Sequence, residues 1–489
     1  MNLQRQHLLK VTSFRCYSNR SLENVLSRGP KKYTFSNYLN IWFRSFSPNR
    51  LKILQDELTS MMLPKSVYKS VNIKNKKVEI DEEGNYINEI LLEQKYDNHK
   101  PTKHVVFLHG YGASAGAFSR NFGLIDKLKD LNYNYKIHFL DNITFGLSSN
   151  PKIKSPFFRS IIKKSPKLKL NDFKPTVKKH LHRRYYKLID SYEVDVDKFK
   201  KYKQDFIPAL QDLEAFYLKS LDSWRHKSGI EKIDFLVGHS FGGYWSASYA
   251  LVHPERVSSL ILLSPVGMER NAEAVTTPIE QITKQPIKPT LDPTSYQFLS
   301  RLPILLRDHI SKWYYYVPYL PRLAKFMGPW GVSKYYHMRY ARLFKVNNVI
   351  KHLGGHSHVS KNEADLLKGS DEECDLLFEY LYNSITCGSH SDIYIKYLLT
   401  PSTTSKWPLY DKFIACPKKS QLFKLHLVYG EFDFMDTEAG IKLIQHLNSH
   451  YPKLISSEFH KIPQGGHNLY LDNPFHTNNT LYLIIKSDD

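Results

Sequence analysis

The sequence predicts an α/β fold with a mostly parallel, doubly wound sheet, because short apolar runs alternate with helix-like stretches along much of the chain. A second observation is a Gly-x-Ser-x-Gly sequence directly after one of these runs, and a third is a Gly-Gly-His sequence after another. Both place reactive side chains where parallel strands end. The apolar runs are His104–Leu108, Lys136–Asp141, Ile233–Val237, Ser259–Ser264, Leu425–Tyr429 and Glu458–Ile462.

The composition is that of a folded protein with a strong positive charge. Hydrophobic residues make up 42% of the 489 positions, which is enough for a sizeable core. Lys and Arg number 69 against 47 Asp and Glu, a net charge of +22 that predicts affinity for polyanions. The sequence has no zinc-finger spacing and no RNP-like aromatic motif, so we expect anionic lipid as the polyanion and no nucleic acid. It also has no apolar run of about 18 residues, so we expect peripheral membrane contact.

The four cysteines lie far apart and form no Cys-x-x-Cys pair. We therefore expect neither a disulfide framework nor a metal site, and a reducing compartment fits best. The sequence gives no reason to predict a cofactor. The cysteines are Cys16, Cys374, Cys387 and Cys416.

Residues 1–30 resemble a mitochondrial transit peptide. The segment contains five arginine or lysine residues and a single acid, Glu23, and its apolar residues can gather on one helical face. The apolar run is too short for a secretory signal. The alternative is a disordered basic tail of a cytosolic protein.

The rest of the chain divides into a core and its additions. Residues 31–99 predict an N-terminal helix and a leading hairpin, with strands around Ser70–Ile73 and Ile87–Glu93 and a turn at Asp81–Asn85. Residues 100–267 and 416–489 predict the two parts of the α/β core. Two insertions, at 150–205 and 268–415, interrupt its alternation of strands and helices.

The two insertions differ in character. Residues 151–190 contain thirteen Lys or Arg against two acids, Asp172 and Asp190. Such a run predicts a solvated loop, a docking patch for anionic lipid, or both. Residues 268–415 are rich in aromatics and predict a helical lid, some of whose rings could line an acyl-chain channel. These aromatics are Trp313, Tyr314, Tyr315, Tyr316, Phe326, Trp330, Tyr335, Tyr336, Tyr340 and Phe344.

Ser240 is the predicted nucleophile. It lies in the sequence Gly238-His239-Ser240-Phe241-Gly242, between the strand-like Ile233–Val237 and a helix-like stretch, as a nucleophile elbow requires. The glycines fit a tight, strained turn in which side chains would collide with the neighbouring strand and helix. The alternative is an ordinary strand-to-helix turn.

A second glycine-containing loop predicts the oxyanion hole. His109-Gly110-Tyr111-Gly112 follows its own apolar run upstream of Ser240. A loop in this place supplies one backbone N–H to the developing oxyanion, and the residue after the nucleophile supplies another. We expect these donors to be the main-chain amides of Tyr111 and Phe241.

The general base must follow the acid in chain order. His467, after Gly465 and Gly466, is the best candidate among 22 histidines. Asp433 is the predicted acid because it lies just past the run Leu425–Tyr429. Asp436 is the alternative acid, although it could instead cap the helix that follows. The acid would orient the His467 ring and stabilise its protonated form.

Three segments together resemble the α/β-hydrolase lipase subfamily of mitochondrial cardiolipin-specific deacylases, lysophosphatidic acid acyltransferases and lipid-droplet coactivators. They are residues 109–114 (HGYGAS), 238–243 (GHSFGG) and 465–474 (GGHNLYLDNP). The resemblance covers about residues 100–270 and 416–475, and it implies the α/β-hydrolase fold with a helical cap at 268–415. Residues 141–149 also resemble a family segment, but Thr144 stands where a glycine is common. The yeast-type cardiolipin deacylases fit best, because of the presequence-like N-terminus.

The resemblance implies a second activity as well. His467 and Asp472 form a His-x4-Asp pattern that this subfamily links to acyl transfer from acyl-CoA. Asp472 could instead cap the last helix, in which case His467 would belong to the triad alone.

From these observations we expect a serine esterase that deacylates phospholipids, with cardiolipin as the favoured substrate. It would act peripherally on the matrix side of the mitochondrial inner membrane. An acyl-CoA-dependent lysophospholipid acyltransferase and a non-catalytic lipid-binding coactivator are the alternatives. The sequence leaves the oligomeric state open.

Overall fold

The structure is a computed structural model of the whole chain. It describes residues 33–63, 67, 70–95, 99–158, 166, 168–172, 189–299, 320–339, 371–415, 423–452 and 455–488. The transit-like segment 1–30 and most of the basic run at 159–188 lie outside these residues.

An eight-stranded sheet organises the molecule, with strand order β1-β2-β4-β3-β7-β8-β9-β10. The six strands from β4 to β10 in this order pair in parallel, whereas β1 and β2 pair antiparallel with their neighbours. The mostly parallel sheet confirms the predicted fold class. A separate antiparallel pair joins β5 and β6. The strands are β1 Val71–Glu79, β2 Tyr86–Gln94, β3 Thr102–Leu108, β4 Asn134–Leu140, β5 Lys169–Asp172, β6 Ile189–Glu193, β7 Ile233–His239, β8 Val257–Leu263, β9 Phe423–Gly430 and β10 Ile455–Ile462.

Helices cover both faces of this sheet. The helix that begins at Phe241 packs against β7 and β8. The long helix that precedes β7 contains Pro208. The helices are α1 Phe35–Arg44, α2 Arg50–Met62, α3 Leu124–Lys127, α4 Val196–Lys227, α5 Phe241–Val252, α6 Ile279–Thr283, α7 Leu320–Phe326, α8 Asp371–Thr386, α9 Ser391–Leu398, α10 Leu409–Ala415, α11 Thr437–His450, α12 Leu469–Asp472 and α13 Pro474–Ser487.

The hydrophobic core lies in two layers, one on each face of the sheet. Alternate residues of one strand enter different layers: Val106 packs in the layer with α4 and α5, and Phe107 packs in the layer with α2 and α8. Because both faces are buried, the central strands are apolar at most positions. This explains why the sequence shows continuous apolar runs there and no alternation of polar and apolar residues.

The N-terminal part extends this sheet. The segment predicted to be one helix contains two, α1 and α2, and β1 and β2 form an antiparallel pair where the leading hairpin is predicted. The hairpin is therefore the edge of the central sheet, and β2 joins it to β4.

The two insertions are partly described. In the basic insertion the structure places β5, β6 and the first turns of α4. In the predicted lid it places α6 to α10, with residues 328–339 also helical. Tyr335 and Tyr336 are buried there, whereas Phe326 and Trp330 are exposed. The predicted lid residues outside the described part are Trp313, Tyr314, Tyr315, Tyr316, Tyr340 and Phe344.

Among the described residues, none of the helices combines the length and apolarity needed to cross a bilayer.

Candidate active site

Ser240 lies in a strained turn between β7 and α5. Its backbone has φ 51° and ψ −112°, in the region that L-residues avoid. The turn is tight because its glycines touch backbone: a Cβ on Gly242 would lie 2.5 Å from the carbonyl oxygen of His109, and one on Gly238 would lie 2.7 Å from that of Gly242. The sequence therefore folds into a nucleophile elbow, with its serine at the carboxyl end of β7.

His467 lies within hydrogen-bonding distance of this serine. Its Nε2 is 3.0 Å from the Ser240 Oγ, and its Nδ1 is 3.2 Å from the Asp433 Oδ1. β9 and β10 are parallel neighbours, so the loops after them, which carry Asp433 and His467, emerge at the same edge of the sheet. The three side chains stand in the order serine, histidine, carboxylate, which is the order proton transfer requires.

The two candidate acids occupy different places. Asp433 is buried against His467, and its Oδ1 also accepts a hydrogen bond from the Met435 amide at 3.0 Å. Asp436 is the N-cap of α11, where its side chain accepts a hydrogen bond from the Glu438 amide at 3.0 Å. Asp433 is thus the carboxylate that can orient the imidazole.

The surroundings of Asp433 keep it ionised. Burial opposes its charge, but the hydrogen bond and charge of His467 and the Met435 amide outweigh that effect, and the pKa of Asp433 lies below its ordinary value. A charged carboxylate here stabilises the imidazolium that forms when His467 takes a proton.

His239 was not singled out from the sequence. It is the second residue of Gly-x-Ser-x-Gly, and its Nε2 lies 2.9 Å from the main-chain oxygen of His467. That oxygen can only accept, so Nε2 carries the proton and donates. Burial holds the pKa of His239 well below its ordinary value, so the ring is neutral and acts as a fixed donor. It holds the loop of the base beside the nucleophile.

The predicted oxyanion loop passes directly over the elbow. A Cβ on Gly110 would lie 2.8 Å from the His239 Nδ1 and 3.1 Å from the Ser240 Cβ, so this approach is possible only for glycine. The Phe241 amide is in the first turn of α5, where N–H groups have no intrahelical acceptor. Tyr111 lines the same cavity as Ser240, and its hydroxyl donates to the Asp392 Oδ1 at 2.6 Å.

His109 stabilises this loop through hydrogen bonds of its ring. The amide of Asn142 donates to its Nε2 at 3.0 Å, so the ring proton is on Nδ1, which donates to the Gly110 oxygen at 2.8 Å. Burial lowers the pKa of His109 to about 4, which keeps this tautomer neutral. We therefore assign His109 a positioning role beside the oxyanion loop.

The family-like segment 141–149 also supports the loops. The Asp141 carboxylate accepts from the Ala115 amide at 2.6 Å and the Leu147 amide at 2.7 Å, and burial raises its pKa to about 6. Thr144, which stands where the family commonly has glycine, adopts φ 73°. Its hydroxyl is hydrogen-bonded to that of Ser391, so the left-handed turn is kept without the glycine.

Asp472 does not cap the last helix. Asn473 is the N-cap of α13, and its side chain accepts from the His476 amide at 3.2 Å. The capping interpretation of Asp472 is therefore wrong, because the helix begins one residue later than that reading needs. Asp472 instead accepts a hydrogen bond from the Gly466 amide at 2.9 Å, which fixes the residue before His467.

A cavity of about 240 Å³ opens onto Ser240 and His467. Most of its wall is apolar, and one of its residues is a cation, Arg339. The Arg339 Nε donates to the Tyr335 hydroxyl at 3.2 Å. The apolar wall includes Phe241, Val266, Leu381, Ile395, Leu399 and Leu471.

Comparisons with known proteins agree with this fold. Residues 103–295 match a family model described as the alpha/beta hydrolase fold. The chain is 27% identical to the 1-acylglycerol-3-phosphate O-acyltransferase ICT1 of Saccharomyces cerevisiae, over 78% of this chain and 81% of that protein. It is 24% identical to a 1-acylglycerol-3-phosphate O-acyltransferase of Arabidopsis thaliana, over 81% and 69%. It is also 27% identical to the 1-acylglycerol-3-phosphate O-acyltransferase ABHD5 of Homo sapiens, over 38% and 35%.

Proposed function

This chain is a protein of the α/β-hydrolase fold, similar to the lipid-related subfamily that includes 1-acylglycerol-3-phosphate O-acyltransferases, and we propose that it is a serine-dependent phospholipid deacylase. One observation carries the proposal: Ser240, His467 and Asp433 form a continuous hydrogen-bonded series at the floor of a largely apolar cavity. A protein that only binds lipid does not require three side chains hydrogen-bonded in this series, or a serine held in a strained conformation at φ 51°.

The reaction follows from the positions of these atoms. The Ser240 Oγ attacks the ester carbonyl carbon while the His467 Nε2 takes its proton. The tetrahedral intermediate collapses, the bond to the lysolipid oxygen breaks, and the same nitrogen returns the proton to that oxygen. Water, deprotonated by His467, then attacks the acyl-serine. The bond from the acyl carbon to the Ser240 Oγ breaks, the fatty acid leaves, and His467 returns the proton to that oxygen. The amides of Tyr111 and Phe241 stabilise the oxyanion in both acylation and deacylation. Losing one such donor costs ~3–4 kcal/mol of transition-state stabilisation in comparable sites.

The cavity supports a substrate with an acyl chain and an anionic headgroup. Its apolar wall suits hydrocarbon, since burying one CH2 group is worth ~0.8 kcal/mol. Arg339 suits a phosphate, because a guanidinium forms bidentate hydrogen bonds to phosphate oxygens. Among phospholipids we propose cardiolipin, which carries two phosphates. This choice rests on the charge of +22, the resemblance and the presequence-like N-terminus.

The setting we propose is the matrix side of the mitochondrial inner membrane, with peripheral attachment through basic surface. The transit-like composition of residues 1–30 supports import. Incubation of the full chain with isolated mitochondria should yield a shortened, protease-protected product. A protein that stays full-length and outside the organelle would contradict the location but not the chemistry.

The activity is tested by fatty-acid release from cardiolipin vesicles and from phosphatidylcholine vesicles. We expect release from cardiolipin by the wild type and a loss of at least about 10³-fold in Ser240→Ala. Ser258→Ala, a half-buried serine on the neighbouring strand β8, is the matched control and should keep full activity. Unchanged release by Ser240→Ala would overturn the proposal.

Arg339 is tested by its effect on binding. Arg339→Gln should raise KM for a phospholipid but leave kcat/KM for an uncharged short-chain ester nearly unchanged. The reason is that only the phospholipid has a phosphate that the guanidinium can bind. An equal loss for both substrates would instead mean that Arg339 supports the fold of the cavity.

The second candidate is acyl transfer from acyl-CoA to 1-acylglycerol-3-phosphate. It is favoured by the names of the relatives and by the contact of Asp472 with the loop of His467. In this reaction His467 would deprotonate the acceptor hydroxyl, whose oxygen attacks the acyl carbonyl carbon of acyl-CoA. The thioester C–S bond would then break, and the His467 proton would pass to the departing CoA sulfur. Transfer that survives Ser240→Ala but disappears in Asp472→Ala would establish direct transfer. Loss of transfer in Ser240→Ala would place an acyl-serine on its path.

A further inference from the structure

A group of three potential metal ligands lies away from the candidate active site, on β9 and the edge strand β10. His426 on β9 is directly opposite Glu458 in the parallel register, and His460 follows two residues later on β10. Residues two apart on a strand point to the same face, so all three side chains project on one side of the sheet. Gly430, at the active-site end of β9, is four residues from His426, or about 13 Å along the strand.

The spacing of the three ligand atoms suits a single ion. The His426 Nδ1 and the His460 Nε2 are 3.1 Å apart, and the Glu458 Oε2 is 3.6 Å from each of them. A point in their plane that is equidistant from the three atoms lies about 2.0 Å from each, which is the length of a Zn–N or Zn–O bond. An ion slightly above this plane would have three protein ligands and room for a fourth, external one.

A second histidine pair shows that this convergence is not a general property of neighbouring histidines in this sheet. The His104 Nδ1 and the His138 Nε2 are 3.0 Å apart, but the Glu89 carboxylate contacts the opposite nitrogen of His138, its Nδ1, at 2.6 Å. Those three groups form a chain and share no common point. At His426 and His460 the carboxylate instead faces the same two nitrogens that face each other.

The surroundings also permit coordination. His426 is buried, and its outer Nε2 has no hydrogen-bond partner among the residues that the structure describes, so no contact there fixes its tautomer. Glu458 is 61% exposed, which gives an ion a route from solvent. The nearby Lys424 is paired with Asp488, so its charge is offset.

We propose that His426, Glu458 and His460 bind one divalent transition-metal ion, with Zn2+ the best fit to this donor set. Two nitrogens and one carboxylate oxygen would come from the protein, and water would complete a tetrahedron. The ion would join β10 to β9 and so fasten the edge strand whose following loop carries His467. This is a structural role, in which the ion takes no part in the steps of deacylation.

The test is zinc binding to untagged, chelator-stripped protein, measured by titration calorimetry and by the thermal unfolding midpoint. We expect one Zn2+ per chain and an unfolding midpoint that rises with zinc, because a ligand that binds only the native state stabilises it. Glu458→Gln and His460→Asn should each weaken zinc binding by about tenfold or more. Both positions are partly exposed, so these variants should fold even if His426→Ala does not.

The controls separate this site from other histidines. The double variant His446→Ala, His450→Ala removes a stacked pair on α11, and it should bind zinc like the wild type. Stoichiometric binding that persists in Glu458→Gln and His460→Asn, or no saturable binding by the wild type, would overturn the proposal and leave a histidine–histidine hydrogen bond. Neither result depends on whether Ser240 is catalytic, since binding is measured without lipid.

Discussion

Single side chains around Ser240 hold the backbone of the loops that form the candidate site. His239 holds the main chain at His467, Asp472 holds Gly466, and His109 holds Gly110. Each of these contacts fixes a loop that carries a proposed catalytic group. The alignment of the triad therefore depends on side chains that do not themselves react.

The first prediction compares the two candidate acids. Asp433→Asn should lower kcat by about 10³–10⁴-fold, because the amide no longer favours the reactive tautomer of His467 or its protonated form. Asp436→Ala should keep kcat and instead lower the free energy of unfolding by ~1 kcal/mol, because α11 loses its N-cap. The measurements are steady-state deacylation and urea unfolding. The reverse pattern would make Asp436 the acid.

The second prediction concerns Gly110. Gly110→Ala should lower kcat by about 10²–10³-fold, because the added methyl group pushes the oxyanion loop away from the elbow. Gly229→Ala is the matched control: its φ is +69°, and a Cβ there meets nothing within 4 Å. That variant should cost ~1 kcal/mol of stability through backbone strain and leave kcat unchanged. Equal kcat values for the two variants would argue against a tight oxyanion loop.

Among the elements, the parallel pairing of β9 with β10 decides where the acid and the base meet. The two loops leave the same sheet edge one strand apart, and β7 brings Ser240 to that edge as well. Three residues that are distant in sequence thus converge because their strands run in one direction. A substitution that weakens the pairing of β10 with β9 should therefore displace His467 even though it does not contact that residue.

The third prediction concerns the joint between β2 and β4, where a buried carboxylate links the strands. The Glu89 carboxylate contacts the His138 ring at 2.6 Å and the Trp224 indole at 3.2 Å. Burial opposes its charge, but these contacts and Lys76 outweigh burial and hold the pKa of Glu89 below its ordinary value. Its ionised form therefore stabilises the native state above the unfolded pKa, and this stability is lost as pH falls through the lower folded value.

Glu89→Gln should accordingly lower the free energy of unfolding by about 1.5–3 kcal/mol near pH 7. The difference from the wild type should shrink progressively below about pH 4.5. Glu79→Gln, at an exposed position on β1, is the control and should change little at any pH. Urea unfolding across pH 3–7 gives the measurement, and a difference that stays constant with pH would contradict the ionised state of Glu89.

At the scale of the whole chain, the densest positive charge and the candidate triad lie in different segments of the sequence. The triad residues follow β7, β9 and β10, whereas the densest positive charge is in the insertion between β4 and β7. Adsorption to an anionic surface and chemistry at Ser240 can therefore be altered independently.

Four lysines of the basic insertion should contribute to adsorption and not to chemistry. Replacing Lys163, Lys164, Lys178 and Lys179 by Gln should weaken adsorption to cardiolipin-containing vesicles by about 10²–10³-fold, since each basic residue contributes ~1 kcal/mol at an anionic surface. Activity on a soluble short-chain ester should not change. A control with four exposed lysines outside this insertion replaced by Gln should adsorb more strongly than this variant. The control positions are Lys52, Lys219, Lys227 and Lys232.

Vesicle sedimentation at low and high salt measures this adsorption. Wild-type adsorption should weaken as salt is added, because ions screen the attraction. Adsorption that is insensitive to both salt and the four substitutions would show that the insertion does not face the lipid.

The strand runs, the elbow and the candidate base could be predicted from the sequence, because each leaves a local signature. Continuous apolar runs mark strands buried on both faces, and the glycines around Ser240 are required where backbone passes close to backbone. The three-dimensional arrangement was needed to place Asp433 and not Asp436 beside His467, to show Asn473 as the N-cap of α13, and to place Arg339 at the cavity. These outcomes depend on which loops share a sheet edge and on where a helix begins. The contacts that decide them join residues far apart in the chain, and a local sequence pattern does not encode such contacts.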